Sequence, residues 1–251
     1  MSAPAAIWHD LECGAYVADL SVWRELANEH SGPVLEVGAG TGRVSIDLAT
    51  HGHRVTALDT DPVLLAELHR RAGSQGLVAD GDSARLVVVR ADARDFVLDA
   101  QFGLIVVPMQ TVQLLGGPEG RARFLRQAAA HLRAGGILAV ALTELFDLYD
   151  GSIDALSSLP LADVREVASA VYRSQPTAVR QEGPVIILER RREILGARGR
   201  RQVEGYEIRL DQLSATALER EGRAAGLRPL RRVAIPPTSD HVGSVVVVLG
   251  A

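Results

Sequence analysis

Val34-Leu35-Glu36-Val37-Gly38-Ala39-Gly40-Thr41-Gly42 is the stretch on which the reading of this chain turns. Its first four residues form a short apolar run that reads as a buried strand. Three glycines follow on alternate positions. From 42 to 51, Val44, Leu48 and Ala49 recur at the spacing of one helix face. Strand, glycine turn and helix in that order offer backbone N–H groups to a ligand, and glycine lets the ligand come close to the backbone. Two classes of cofactor use such a turn. A dinucleotide site favours Gly-x-Gly-x-x-Gly, which here needs glycine at position 43. The residue there is Arg43, and the spacing is Gly-x-Gly-x-Gly with Glu36 ahead of it.

Working outward, residues 19–30 read as a helix with Leu20, Trp23, Leu26 and Ala27 on one face. Strands are expected over 54–58, 85–89, 102–107 and 137–142. Helices are expected over 62–72, with Asp61 as cap and Pro62 first, and over 119–132, closed by Gly135 and Gly136. Strands alternating with helices predict an α/β fold with a doubly wound, mostly parallel, seven-stranded sheet. Residues 214–225 read as the last helix, with Ser214 as cap. The strands at 230–235 and 244–249 are joined by a loop too short for a crossover helix, so the last strand runs antiparallel.

The pattern changes after Thr143. Residues 145–180 are broken by Pro160 and Pro176, and 185–195 with 202–210 read as a hairpin around Gly196. The expected organisation is a single domain over 1–251. It has an N-terminal helical lid (1–30), a cofactor-binding core (31–143), a small β-containing insertion on the acceptor side (144–212), and the last helix with the antiparallel pair (213–251).

Composition removes several classes of function. Hydrophobic residues make up 47% and charged residues 23% of the chain, as in soluble globular proteins. A net charge of -4 gives no field for gripping phosphates, so no nucleic-acid partner is expected. All 27 basic residues are arginine. A Schiff-base lysine, a Walker-type lysine and a lysine general base are therefore excluded. Cys13 is the one cysteine, so neither an intramolecular disulfide nor a cysteine-rich zinc site can form, and no metal is expected. No signal sequence and no apolar run near the roughly 18 residues of a membrane helix is seen. A cytoplasmic protein without membrane contact is expected.

The acidic residue, the glycine spacing and the terminal strand pair together resemble the class I S-adenosylmethionine-dependent methyltransferases, over about residues 33–142. The resemblance implies S-adenosylmethionine as cofactor, held by Glu36, Gly38, Ala39, Gly40, Gly42, Asp59, Thr60, Asp92, Ala93 and Pro108. The chemistry agrees. This cofactor has no pyrophosphate to place on a helix dipole, and its sulfonium and amino group favour acids near the loop. Asp59 ends the second strand, 19 residues after Gly40, where a carboxylate accepts both ribose hydroxyls. Nicotinamide enzymes place an acid similarly. In the family this segment resembles, the acid at Asp92 takes the adenine amino group and the neighbouring N–H contacts the ring. Glu36 either holds a water or the amino group indirectly, or is a strand carboxylate satisfied by backbone N–H groups.

The acceptor is expected beyond the carboxyl ends of the strands. Residues 108–113, Thr143 with Glu144, and 236–241 converge there, and the N-terminal segment with Trp8, His9 and Tyr16 is a candidate lid. Methyltransferases of nucleic-acid bases often carry Asn/Asp-Pro-Pro-aromatic after the fourth strand. This chain has Pro108-Met109-Gln110, which argues against a base as acceptor. Gln110 is a candidate partner of the acceptor or of the methionine end of the cofactor. His241 with Asp240 is the acid–base candidate, with Tyr16, Tyr172 and Glu144 behind it. Many such enzymes need no base and work by alignment. Arg190-Arg191-Arg192 reads as a solvated strand face, with a subunit contact in a homodimer or anion binding as alternatives. The function expected is methyl transfer to an N or O atom of a small molecule by direct displacement. The competing readings are a nicotinamide-dependent oxidoreductase and a protein that binds S-adenosylmethionine without methylating.

Overall fold

The computed structural model describes residues 4–78, 84–150, 159–238 and 241–251. The chain divides into two compact units, one of residues 16–144 with 213–251, the other of residues 1–15 with 145–212. Of the N-terminal segment, residues up to 15 fall in the smaller unit and residues from 16 on in the larger.

The larger unit is the doubly wound domain. Its strands are β1 (Val34–Val37), β2 (Val55–Asp59), β3 (Leu86–Arg90), β4 (Phe102–Val107), β5 (Leu132–Leu142), β10 (Arg228–Ile235) and β11 (Ser244–Gly250). They form a seven-stranded sheet in the order β10-β11-β5-β4-β1-β2-β3. β11 runs antiparallel to both neighbours, and the pairs β5–β4, β4–β1, β1–β2 and β2–β3 are parallel. Chain order reverses beside β1, so the crevice at the carboxyl ends of β1 and β4 is the switch point where such sheets bind ligands.

Both sheet faces are covered, which is why β1 and β4 are buried throughout rather than alternating. On one face Trp23 and Leu26 of α2 (Leu20–Glu29), Val44 and Leu48 of α3 (Arg43–Thr50), and Leu65 and Leu68 of α4 (Pro62–Ser74) share a core. On the other, Phe124 and Leu125 of α5 (Gly117–His131) and Leu218 of α6 (Ala215–Ala224) do so. The caps are where the sequence puts them. The Asp61 side chain accepts from the N–H groups of Val63 and Leu64, and Ser214 accepts from that of Ala217. Gly135 and Gly136 do not close α5 as expected. They lie inside β5, where the register against β4 shifts between Phe102 and Leu104.

The smaller unit is a four-stranded antiparallel sheet, β6 (Asp163–Val167), β7 (Ala170–Glu182), β8 (Val185–Leu195) and β9 (Arg201–Asp211), with α1 (Pro4–His9) against it. The hairpin β8–β9 is the expected one; β6 and β7 are not. Pro176 hid β7, but the register shifts at that residue, and a bulge tolerates proline. The pleat puts Arg190 and Arg192 on one face and Arg191 on the other. The first two are not solvated as expected. The Glu12 carboxylate accepts from Arg192 Nε and Nη2 at 2.8 and 2.7 Å and from Ser174 Oγ at 2.7 Å, with Arg190 Nε at 3.4 Å. Arg192 also lies 3.4 Å from the Tyr206 ring centre, and Trp8 meets Tyr172 edge-on.

Candidate active site

The glycine loop joins β1 to α3, with φ of 77° at Gly38, 54° at Gly40 and 93° at Gly42. The protein's own packing demands two of these glycines. A Cβ at Gly38 would lie 2.5 Å from Thr111 Cγ2, and one at Gly42 would lie 2.7 Å from Leu68 Cγ. The loop does not hold its N–H groups out as expected. Gly38 and Ala39 both donate to the Leu58 carbonyl, Gly40 to Asp59 Oδ2 at 2.8 Å, and Gly42 to the Ala39 carbonyl. The turn is knitted to the end of β2, and its two residues with side chains, Ala39 and Thr41, are buried.

Asp59 is the hinge of this arrangement. While Oδ2 holds Gly40, Oδ1 accepts from the Asp61 N–H at 3.0 Å. A carboxylate has about four lone-pair sites, so each oxygen keeps one for a further donor. Half-buried at the carboxyl end of β2 and fixed at two points, Asp59 fits a vicinal diol. Thr60 beside it is exposed, and its carbonyl accepts from Arg90. Asp92 follows β3, with Ala93 buried next to it. Arg94 binds Asp92 through its backbone N–H at 2.8 Å and its guanidinium at 2.6–3.1 Å, and holds its carboxyl below the usual carboxylate range. The sequence reading missed this i,i+2 partner, although Asp-x-Arg is visible in the chain.

Glu36 turns away from the surface. It is 2% exposed and accepts from Ser45 Oγ on α3. Burial pushes its carboxyl up to about 8, against the opposing pull of the Ser45 hydroxyl and the Arg43 charge. Arg43, the first residue of α3, pairs with Asp19 at 2.5 and 2.7 Å and donates to the Tyr16 carbonyl at 2.9 Å. Trp23 Nε1 donates to the same Asp19 at 2.8 Å.

On the acceptor side the structure brings together two pairs of residues. The rings of Tyr16 and His241 lie 4.7 Å apart between centres, with Arg43 at 5.3 Å from the Tyr16 ring. Burial raises the Tyr16 phenol, and a hydrogen bond with Ser244 opposes the shift. The His241 backbone is held by both the N–H and the hydroxyl of Thr238. Asp240, its expected partner, lies outside the described residues. The second pair is Gln110, which donates to Thr143 Oγ1 at 3.0 Å. Pro108 is buried, and Thr111 Oγ1 donates to its carbonyl. Glu144 serves elsewhere, accepting from the Ala215 N–H at the start of α6. Trp8, His9 and Tyr172 belong to the smaller unit. Among the described residues no cluster of three metal-ligating side chains occurs, and no helix is long and apolar enough to cross a membrane.

Comparison with known proteins finds methyltransferases. A family described as a methyltransferase domain matches residues 34–136, which run from the first residue of β1 into β5. The cypemycin N-terminal methyltransferase of a Streptomyces species is 30% identical over 135 residues, covering 53% of this chain and 51% of that protein. The match therefore spans about half the length of that relative. Among solved structures, the CcbJ methyltransferase of Streptomyces caelestis superposes with a TM-score of 0.69 at 19% identity, over 95% of this chain and 91% of that one. The glycopeptide N-methyltransferase MtfA, solved with S-adenosylhomocysteine, superposes with a TM-score of 0.60 at 25% identity, over 92% and 86%. A glycine loop spaced for S-adenosylmethionine, a seven-stranded sheet with its last strand antiparallel, and the matched domain agree. Residues 34–136 match a methyltransferase domain, and the fold is that of the S-adenosylmethionine-dependent methyltransferases.

Proposed function

We propose that this chain moves the methyl group of S-adenosylmethionine to a nitrogen atom of a small-molecule amine by direct displacement. The carrying observation is Asp59, a carboxylate pinned between the N–H groups of Gly40 and Asp61 at the mouth of the glycine loop. Nitrogen is preferred over oxygen because the glycopeptide relative is named an N-methyltransferase and the cypemycin relative is named for an N-terminus, where a free peptide carries an amine. The net charge of -4 supports a small acceptor rather than a nucleic acid. A homodimer contact through Arg190 and Arg192 loses its support, since both face Glu12.

When bound, the cofactor supplies a methyl group on a positively charged sulfur, a good leaving group that needs no metal. Asp59 accepts the two ribose hydroxyls. Asp92, with the N–H of Ala93, faces the adenine edge. The wall from Pro108 to Thr111 closes the methionine end, and the Gln110–Thr143 pair orients the amine. The new N–C bond forms as the S–C bond breaks, and the proton released by nitrogen passes to the His241 imidazole and then to water.

Calorimetry with S-adenosylmethionine and S-adenosylhomocysteine tests the cofactor half; no heat of binding from the wild type sinks it. Incubation with a panel of amines and their hydroxyl analogues, read by mass spectrometry, tests the acceptor half. Methylation of the hydroxyl analogues alone overturns the choice of nitrogen. Bound cofactor with no product across the panel favours the non-methylating reading. With an acceptor in hand, His241→Ala should lower the rate by roughly 10²–10⁴-fold. A loss of under about threefold removes the base and leaves alignment as the main device.

A further inference from the structure

Strand β5 runs out of sheet partners at its carboxyl end. Its pairing with β4 ends at Val140 opposite Val107, and its pairing with β11 ends at Leu142 opposite Val245. Thr143 comes next and is 1% exposed. Its peptide groups need partners that the ladder no longer supplies. Gln113 supplies both. Its Oε1 accepts from the Thr143 N–H at 2.9 Å, and its Nε2 donates to the Thr143 carbonyl at 3.1 Å. This carboxamide, itself 1% exposed, does for Thr143 what a neighbouring strand does for the residues before it.

The turn that carries Gln113, Thr111–Leu114, also touches the glycine loop. Thr111 packs so closely over Gly38 that no Cβ fits between them. Gln110, just before it, reaches the Thr143 hydroxyl. Residues 108–114 are thus a wedge between the glycine loop and the end of β5. At its entry Met109 has φ of 57°, unfavourable for a residue with a Cβ, so the wedge depends on its ties.

We propose that Gln113 is a positioning residue for the cofactor. By clamping the Thr143 peptide it fixes the wall at 108–111 against the glycine loop. The inference rests on reading that loop as the S-adenosylmethionine site. The test is calorimetry with S-adenosylhomocysteine, which needs no acceptor. Gln113→Leu should weaken binding at least about fivefold, the worth of one ordinary hydrogen bond. Leu218→Ala, a cavity-forming change on α6, should lower the melting temperature as much and leave affinity within about twofold. Gln113→Glu gives a signature that mere destabilisation does not. Protonated, it still donates to the Thr143 carbonyl; ionised, it repels it. Its affinity relative to wild type should therefore fall between about pH 5 and pH 8, burial having raised the carboxyl. Wild-type affinity in Gln113→Leu, an equal loss in Leu218→Ala, or a flat pH ratio in Gln113→Glu overturns the positioning role alone. No binding by the wild type overturns the cofactor reading and the positioning role with it.

Discussion

Asp59 holds the end of β2, the glycine loop and the start of α4 with one carboxylate. Asp59→Ala removes the acceptor for a ribose diol and leaves the Gly40 N–H without its partner. A hydrogen bond to a charged group is worth about 1.5–3 kcal/mol. Calorimetry should accordingly show affinity for S-adenosylhomocysteine falling at least about tenfold, with a lower melting temperature; unchanged affinity removes the ribose assignment. Glu36 is the opposite case, a carboxyl that the fold prefers neutral. Its folded value, about 8, lies above the roughly 4.3 of an unfolded glutamate. Protonation therefore favours the folded state. That contribution is complete below pH ~4.3 and is lost as pH rises through about 8. Gln cannot ionise, so Glu36→Gln should gain in melting temperature on the wild type as pH climbs from about 5 to 8. A difference that stays constant with pH shows that Glu36 is ionised in the fold.

At the scale of elements, the glycine loop is set by what packs on it. Gly38→Ala meets Thr111 and keeps a φ of 77°, so it suffers both a clash and backbone strain. Strain of that kind costs roughly 1–2 kcal/mol. Adding Thr111→Ala relieves the clash but not the strain, and denaturant unfolding should show partial recovery of stability; no recovery means the contact is not what requires glycine. These elements also show what a sequence can and cannot say. The loop, Asp59 and the Asp61 cap were legible because each signal is local: alternate glycines, an acid closing an apolar run, Asp before Pro. Gln113 and Thr143 lie 30 residues apart, Glu144 and Ala215 lie 71 apart, and Glu12 and Arg192 lie 180 apart. Nothing in composition or periodicity announces such pairs. Glu36 was recognised as important, yet which way its side chain turns was undecidable until Ser45 stood beside it. The strand β7 was hidden because proline reads as a breaker unless the bulge that accommodates it is known.

For the whole molecule, the two units hold themselves together by different physics. The seven-stranded sheet is sealed by two apolar layers, so no single polar contact dominates it. The smaller unit has a modest apolar cluster around Val179, Ile186 and Leu210, and the helical turn Asp10–Gly14, which continues α1, is fastened to its sheet by charge. Glu12 is the centre of that fastening. Its side chain is 7% exposed and faces Arg192 at 10% and Arg190 at 15%. Removing one member of a buried pair typically costs 3–5 kcal/mol, because the remaining charge stays desolvated, whereas replacing both members by apolar groups is often neutral. Glu12→Ala should therefore speed hydrogen exchange in α1, β7 and β8 while the protection of β1, β4 and β5 holds. Glu12→Leu combined with Arg192→Met should restore most of the lost protection. If Glu12→Ala instead loosens both sheets to the same extent, the units unfold as one and the charge cluster belongs to a single cooperative core. If it changes neither, the apolar cluster and the Trp8–Tyr172 contact suffice to hold α1.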